Sequence, residues 1–198
     1  MFQSEYSFSQ QSSEESKFHA GLKAGINTSQ ITGDAASGFY KFSLVAGAFA
    51  NYRINKKLKF QYELIYQQKG SNNPAKPDKG IYSSYKIRLN YIEIPLLLQY
   101  DLNRFEIELG PGIGYLINTK EWDQNGERTT QSSPYDWRKL ELDAVLGVNY
   151  EIQKEHLFVN FRSHHSVTSI VSNSNQIPGT QWNGAWNIVL ALTLNYQF

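Results

Sequence analysis

The sequence predicts an all-β fold: an eight-stranded antiparallel up-and-down transmembrane β-barrel over residues 18–198, preceded by a flexible polar segment at 1–17. Three observations predict it. Apolar and polar residues alternate with a period of two in eight segments, the spacing that sends successive side chains to opposite faces of a sheet. The connections between those segments alternate long and short, as in bacterial outer-membrane barrels. Aromatic residues bracket the more apolar face, and amphipathic rings favour membrane–water interfaces.

Taken in order, the segments are 18–28, 40–53, 58–69, 85–100, 104–117, 139–152, 156–166 and 186–198. In 40–53, Tyr40, Phe42, Leu44, Ala46, Ala48, Ala50 and Tyr52 oppose Lys41, Ser43, Val45, Gly47, Phe49, Asn51 and Arg53. In 104–117, the apolar series from Phe105 to Ile117 opposes Arg104, Glu106, Glu108, Gly110, Gly112 and Gly114. In 139–152, the series from Leu140 to Ile152 opposes Lys139, Glu141, Asp143, Val145, Gly147, Asn149 and Glu151. The last segment is the clearest, with Trp186, Ile188, Leu190, Leu192, Leu194, Tyr196 and Phe198 on one face. Segment 156–166 is the least regular. In 85–100 the apolar positions move from odd (Tyr85, Ile87, Leu89) to even (Ile92, Ile94, Leu96, Leu98). A β-bulge near Asn90–Ile92 would reconcile the two halves, and Pro95, lacking an N–H, adds irregularity.

Long polar connections fall at 29–39, 70–84, 119–136 and 167–184, and short ones at 55–57, 101–103 and 153–155. Four long loops and three short turns join eight strands and place both termini at the short-turn end.

Composition narrows the function classes. The net charge of +1 over 198 residues, with no basic block among the aromatics, excludes a nucleic-acid surface. The absence of cysteine excludes disulfides and thiolate metal sites. No run of about 18 apolar residues is present, so no helix spans a membrane. Residues 1–17 lack the apolar core of a secretory leader. An exported chain needs one, so a mature or truncated form is expected.

A soluble barrel hides its apolar face, and a membrane barrel turns it to lipid. On the membrane reading, the inward face carries a charge network of Lys23, Arg53, Lys59, Glu63, Glu93, Glu106, Glu108, Glu141, Asp143 and Arg162, filling a narrow polar lumen. The closing aromatic strand, with Leu194, Tyr196 and Phe198, resembles the assembly signal of outer-membrane barrels, which implies recognition by the barrel assembly machinery.

Several stretches carry a family likeness. Gly21-Leu-Lys-Ala-Gly-Ile-Asn27, Tyr62-Glu-Leu-Ile-Tyr-Gln-Gln-Lys-Gly70, Leu89-Asn-Tyr-Ile-Glu-Ile-Pro-Leu-Leu-Leu-Gln-Tyr100 and Leu109-Gly-Pro-Gly-Ile-Gly-Tyr-Leu116 resemble, in the same order, the PorT-like outer-membrane β-barrel family of Bacteroidetes. The likeness spans about residues 20–198. It implies a Gram-negative cell outer membrane, and the founding member's association implies a link to protein secretion.

No catalytic, cofactor-binding or metal residues are expected, and the protein is not read as an enzyme. Glu106 and Glu108 share a face and could perform acid–base chemistry, but a lumen ion network accounts for them. His164 and His165 are adjacent, so on a strand they face opposite sides and cannot share one metal. Ser163, Ser166 and Asp143 suggest a hydrolase without fixing its geometry. Gly110, Gly112 and Gly114 lack the Lys-Ser/Thr of a phosphate loop and read as small residues in a crowded lumen. The expected partners are outer-membrane lipid, the barrel assembly machinery and other envelope proteins, with no nucleic acid. The expected role is a scaffold or interaction protein acting through its long loops. The alternatives are a soluble lipocalin-like carrier of an apolar ligand and a barrel enzyme acting on lipid or peptide.

Overall fold

The computed structural model describes residues 17–32, 38–75, 77–80, 82–128, 135–172 and 184–198. The polar segment 1–17, Lys17 apart, lies outside the described residues. Strands β1 (Phe18–Thr32), β2 (Lys41–Arg53), β3 (Leu58–Asn73), β4 (Tyr85–Leu102), β5 (Phe105–Asp123), β6 (Gly126–Arg128), β7 (Leu140–Gln153), β8 (Leu157–Ser166) and β9 (Trp186–Gln197) pair antiparallel. All but β6 form the barrel wall. Each wall strand pairs with its neighbour in sequence, and β1 pairs with β9 from Gly21↔Gln197 to Thr32↔Trp186, which closes the sheet. Closure leaves no open edge, the condition for a sheet in lipid. A one-turn 3₁₀ helix, Pro77–Lys79, interrupts the β3–β4 connection.

The short turns follow local chemistry. Asn55 Oδ1 accepts hydrogen bonds from the Lys57 and Leu58 amides at 2.9 and 3.0 Å. Asp101 Oδ1 accepts one from Asn103 at 2.7 Å. Asn103 has φ 70°, a left-handed conformation that Asn tolerates well.

The pleat sorts the side chains inside out. Glu63, Glu93, Glu108 and Glu141 are fully enclosed, while Phe42 is 72%, Leu44 62% and Leu146 56% exposed. Wetting an outer surface of Leu, Ile and Phe while burying four carboxylates would be far from stable in water. In lipid the same arrangement is the favourable one, and it excludes the soluble apolar calyx.

The strands run further than the alternation suggests. β1 and β3 continue to Thr32 and Asn73, into the expected loops 29–39 and 70–84. The β4–β5 hairpin rises to Tyr85↔Asp123, and β6 folds back on it inside the expected loop 119–136.

The β4 expectation needs correction. Pairing with β5 does shift between Asn90 and Tyr91, but Tyr91↔Leu116 is followed by Asn90↔Asn118, so the extra residue is Ile117 on β5. β4 itself never changes phase: Ile87, Leu89, Tyr91, Glu93, Pro95, Leu97 and Gln99 all point inward. The change in sequence pattern is a change in lumen chemistry. Above Glu93 the interior gains an apolar cluster of Ile31, Ile87, Leu89, Tyr91, Leu116, Ile170, Val171 and Ala185, beside the buried Lys41, Ser71 and Glu121. The interior is therefore polar over most of its height and closed at the long-loop end by an apolar plug. Around Pro95 the pairing with β3 breaks between Tyr62↔Leu96 and Ile65↔Glu93, consistent with its missing N–H.

Candidate functional site

The lumen is built in layers. At the short-turn mouth, Lys59 of β3 pairs with Glu106 of β5, and its ammonium lies 5.9 Å from the Phe158 ring centroid. In the next layer Arg162 of β8 joins two walls. Its Nη1 and Nη2 donate to Glu63 at 2.8 and 2.9 Å, and its Nε donates to Glu108 at 2.7 Å. Lys23 of β1 donates to both Glu63 oxygens at 3.1 Å. Gln61 also donates to Glu63, and Gln99, Asn149 and Asn160 donate to Glu108. Two cations face two carboxylates here, and a forked guanidinium suits paired oxygens.

One layer higher, Lys69 of β3 sits 2.5 Å from Glu93 and 3.2 Å from both Glu141 and Asp143. The Tyr91 ring centroid lies 5.0 Å from its ammonium. His164 Nδ1 is 3.3 Å from Asp143 Oδ2, and Ser166 and Asn187 donate to Glu141. One ammonium faces three carboxylates, and neutral donors cover part of the deficit. Absent side chains make the room. A Cβ on Gly112 would lie 2.7 Å from Asp143 Oδ1, and one on Gly147 2.4 Å from Glu108 Oε1. On Gly110 it would meet the Leu96 backbone oxygen at 1.9 Å, so that glycine is set by strand approach rather than by lumen crowding.

Of the ten residues assigned to the network from sequence, the structure brings Lys23, Glu63, Glu108 and Arg162 into one layer, Glu93, Glu141 and Asp143 into another, and Lys59 with Glu106 at the mouth. Arg53 stands apart. It is half-buried and lines a cavity of about 380 Å³ at the mouth with Lys56, Lys57, Lys59 and Glu106. Further into the lumen a void of about 10 Å³ lies among Phe49, Gln61, Gln99 and Asn149, about enough for one water. Sequence reasoning missed Lys69 and His164. Extending the inward odd positions of β3 beyond Glu63 reaches Lys69, and the even ones of β8 beyond Arg162 reach His164. Leu194, Tyr196 and Phe198 lie on the outer face, with Tyr196 stacked near His156 and edge-on to Phe198.

Chemically the interior is occupied by its own counter-charges. Glu106 and Glu108 are tied to Lys59 and Arg162. His164 faces the lumen and His165 faces outward, as strand alternation requires. Ser163 and His165 are hydrogen-bonded at 2.8 Å on the outer surface, whereas Asp143 lies inside and Ser166 binds Glu141. These groups do not converge on one reacting atom. Glu93, Asp143 and His164 each offer a ligand atom within a 4.8 Å span, but the Lys69 ammonium lies against both carboxylates.

An inside-out, closed antiparallel wall around a charge-filled lumen defines a membrane-spanning β-barrel. The chain belongs to the outer membrane protein beta-barrel domain family, whose model matches residues 8–172. It is therefore an outer-membrane protein. No curated protein matches the chain. Among solved structures it is similar to Ail, the attachment invasion locus protein of Yersinia pestis, at 10% identity and a TM-score of 0.52, covering 92% of this chain and 100% of that one. It is also similar to Neisserial surface protein A, at 15% identity and a TM-score of 0.50, covering 92% and 98%. At these identities the likeness is one of fold.

Proposed function

We propose that this barrel is a non-enzymatic, non-conducting scaffold of the outer membrane that engages other envelope proteins through its long-loop end. The observation that carries the reading is the extension of the β4–β5 hairpin beyond the lipid-facing belt, capped by β6 and carrying the Asp123–Arg128 ion pair at 2.8 Å. The two Asp123 contacts, from the Asn125 amide and from Arg128, hold its carboxyl below the usual range. Fold alone does not assign activity, but a lumen filled with charged side chains and an apolar cluster at its long-loop end leaves no room for an aqueous channel.

In outer-membrane barrels the short turns face the periplasm and the long loops the outside, which puts this hairpin outside the cell. The likeness to the PorT-like family supports a Bacteroidetes source and a place near protein secretion. The outward aromatic face of β9, with Leu194, Tyr196 and Phe198, is the surface offered to the barrel assembly machinery. The test is affinity capture from native outer membrane with the whole protein and with a variant in which a Gly-Ser turn replaces 124–128, which removes β6 and leaves Lys120 and Trp122 in place. Loss of specific envelope proteins from the variant's capture, with its barrel still folded, supports the reading. An identical set of captured proteins overturns it.

A further inference from the structure

Directly above the lipid-facing belt, the β4–β5 wall carries an arrangement that the scaffold reading does not use. Ile92, paired with Tyr66 on β3 and Tyr115 on β5, and the exposed bulge residue Ile117 just above it mark the top of the apolar surface there. Above it come Gln68, Asn90 and Asn118, and then the cross-strand pairs Arg88↔Lys120 and Lys86↔Trp122. Ile87, Leu89 and Glu121 point inward, so Lys86, Arg88, Lys120 and Trp122 project outward.

Arg88 and Lys120 set like charges directly opposite each other, an unfavourable pairing in a sheet. Lys120 has partial relief from Glu127 at 3.2 Å, an exposed contact. Among the described residues, Lys86 and Arg88 have no carboxylate partner. The Arg88 Nε is buried without a hydrogen-bond acceptor, a costly state for a guanidinium. Both side chains are instead held on one indole, with Lys86 Nζ and Arg88 Cζ each 5.3 Å from the Trp122 ring centroid. Cation–π contact orders the two cations without neutralising them.

Height decides what they meet. Four residues separate Ile92 from Arg88, about 13 Å along the strand or about 9 Å along the membrane normal at a tilt near 45°. A headgroup layer occupies about 5–7 Å on each side of the hydrocarbon, and long basic side chains reach back toward it.

We propose that Lys86, Arg88 and Lys120, ordered by Trp122, form a binding site for the phosphate of an outer-leaflet glycolipid headgroup. The phosphate is held by the outward ends of the three side chains and relieves the Arg88–Lys120 repulsion. The acyl chains then lie along the outward face of Ile92, Ile94 and Tyr115. The site rests on the outer-membrane assignment and not on the partner-binding role of the hairpin, so it stands or falls separately from that role.

The test uses the whole folded protein in dodecylmaltoside micelles, with bound lipid counted by native mass spectrometry. The probes are bis-phosphorylated lipid A, the same lipid after phosphatase treatment, and inorganic phosphate as competitor. The expected result is tight retention of the phosphorylated lipid and weak retention of the dephosphorylated one. K86Q/R88Q should lower affinity about thirty-fold, taking a similar contribution from each cation. K56Q/K57Q, at the opposite rim, should leave it unchanged. Equal retention of the phosphorylated and dephosphorylated lipids by the wild type overturns the site without reference to any variant. So does undiminished affinity in a K86Q/R88Q barrel that still shows heat-modifiable migration. Displacement of the lipid by sub-millimolar inorganic phosphate would assign the site to a soluble anion and overturn the lipid assignment.

Discussion

Removing the Arg162 guanidinium should destabilise the barrel by about 3–5 kcal/mol. Arg162 makes three charge-assisted hydrogen bonds, two to Glu63 and one to Glu108, and both carboxylates are fully enclosed. In Arg162→Met only Lys23 remains to balance them, and it reaches Glu63 alone at hydrogen-bond distance. Breaking a buried ion pair from one side costs about 3–5 kcal/mol, because the partner is left charged and enclosed. Removing the carboxylate as well should recover part of that cost. Glu63→Gln in the Arg162→Met background should therefore be less damaging than Glu63→Gln in the wild type. The difference is a coupling energy of about 2 kcal/mol on the scale of such cycles. Arg162→Lys keeps the charge but loses the fork, and should fall between. The assay is reversible urea unfolding in lipid vesicles, followed by heat-modifiable migration and tryptophan fluorescence. An Arg162→Met barrel within about 0.5 kcal/mol of wild type, the range of a neutral surface change, would refute the claim that this layer holds the walls together.

Three further outcomes test the architecture. Leu192 points to lipid and Thr193 to the lumen, so with the native tryptophans replaced by Phe, Leu192→Trp should be quenched by brominated acyl chains and Thr193→Trp should not; equal quenching would reject the inside-out wall. In planar bilayers the purified protein should give no stable porin-sized conductance, and a large reproducible one would show that the lumen is open. Gly110→Ala should lower stability by at least about 1 kcal/mol, the low end for overpacking, because its Cβ would lie 1.9 Å from the Leu96 oxygen; an unfolding midpoint unchanged from wild type would show that the strands can part there at no cost.

The sequence by itself determined the strands and their faces. A period of two is a property of the backbone, so Leu140 to Ile152 against Lys139 to Glu151 could be sorted without knowing any neighbour. Loop lengths then set an up-and-down order. Tertiary structure decided everything that depends on register between strands far apart in the chain. Nothing in the neighbourhood of Arg162 says that it meets Glu63, 99 residues away, rather than another inward carboxylate. Nor does the local pattern show that Lys69 centres a second cluster, since its partners lie on β4 and β7. The β4 misreading has the same origin. Ile87 and Leu89 look like lipid-facing residues out of phase, because alternation records polarity and not direction. Only the closed barrel shows that they point inward, where Ile31, Leu116, Ile170 and Val171 from three other parts of the chain form an apolar plug. Polarity can be read one residue at a time, but what a side chain faces is fixed only when the walls meet.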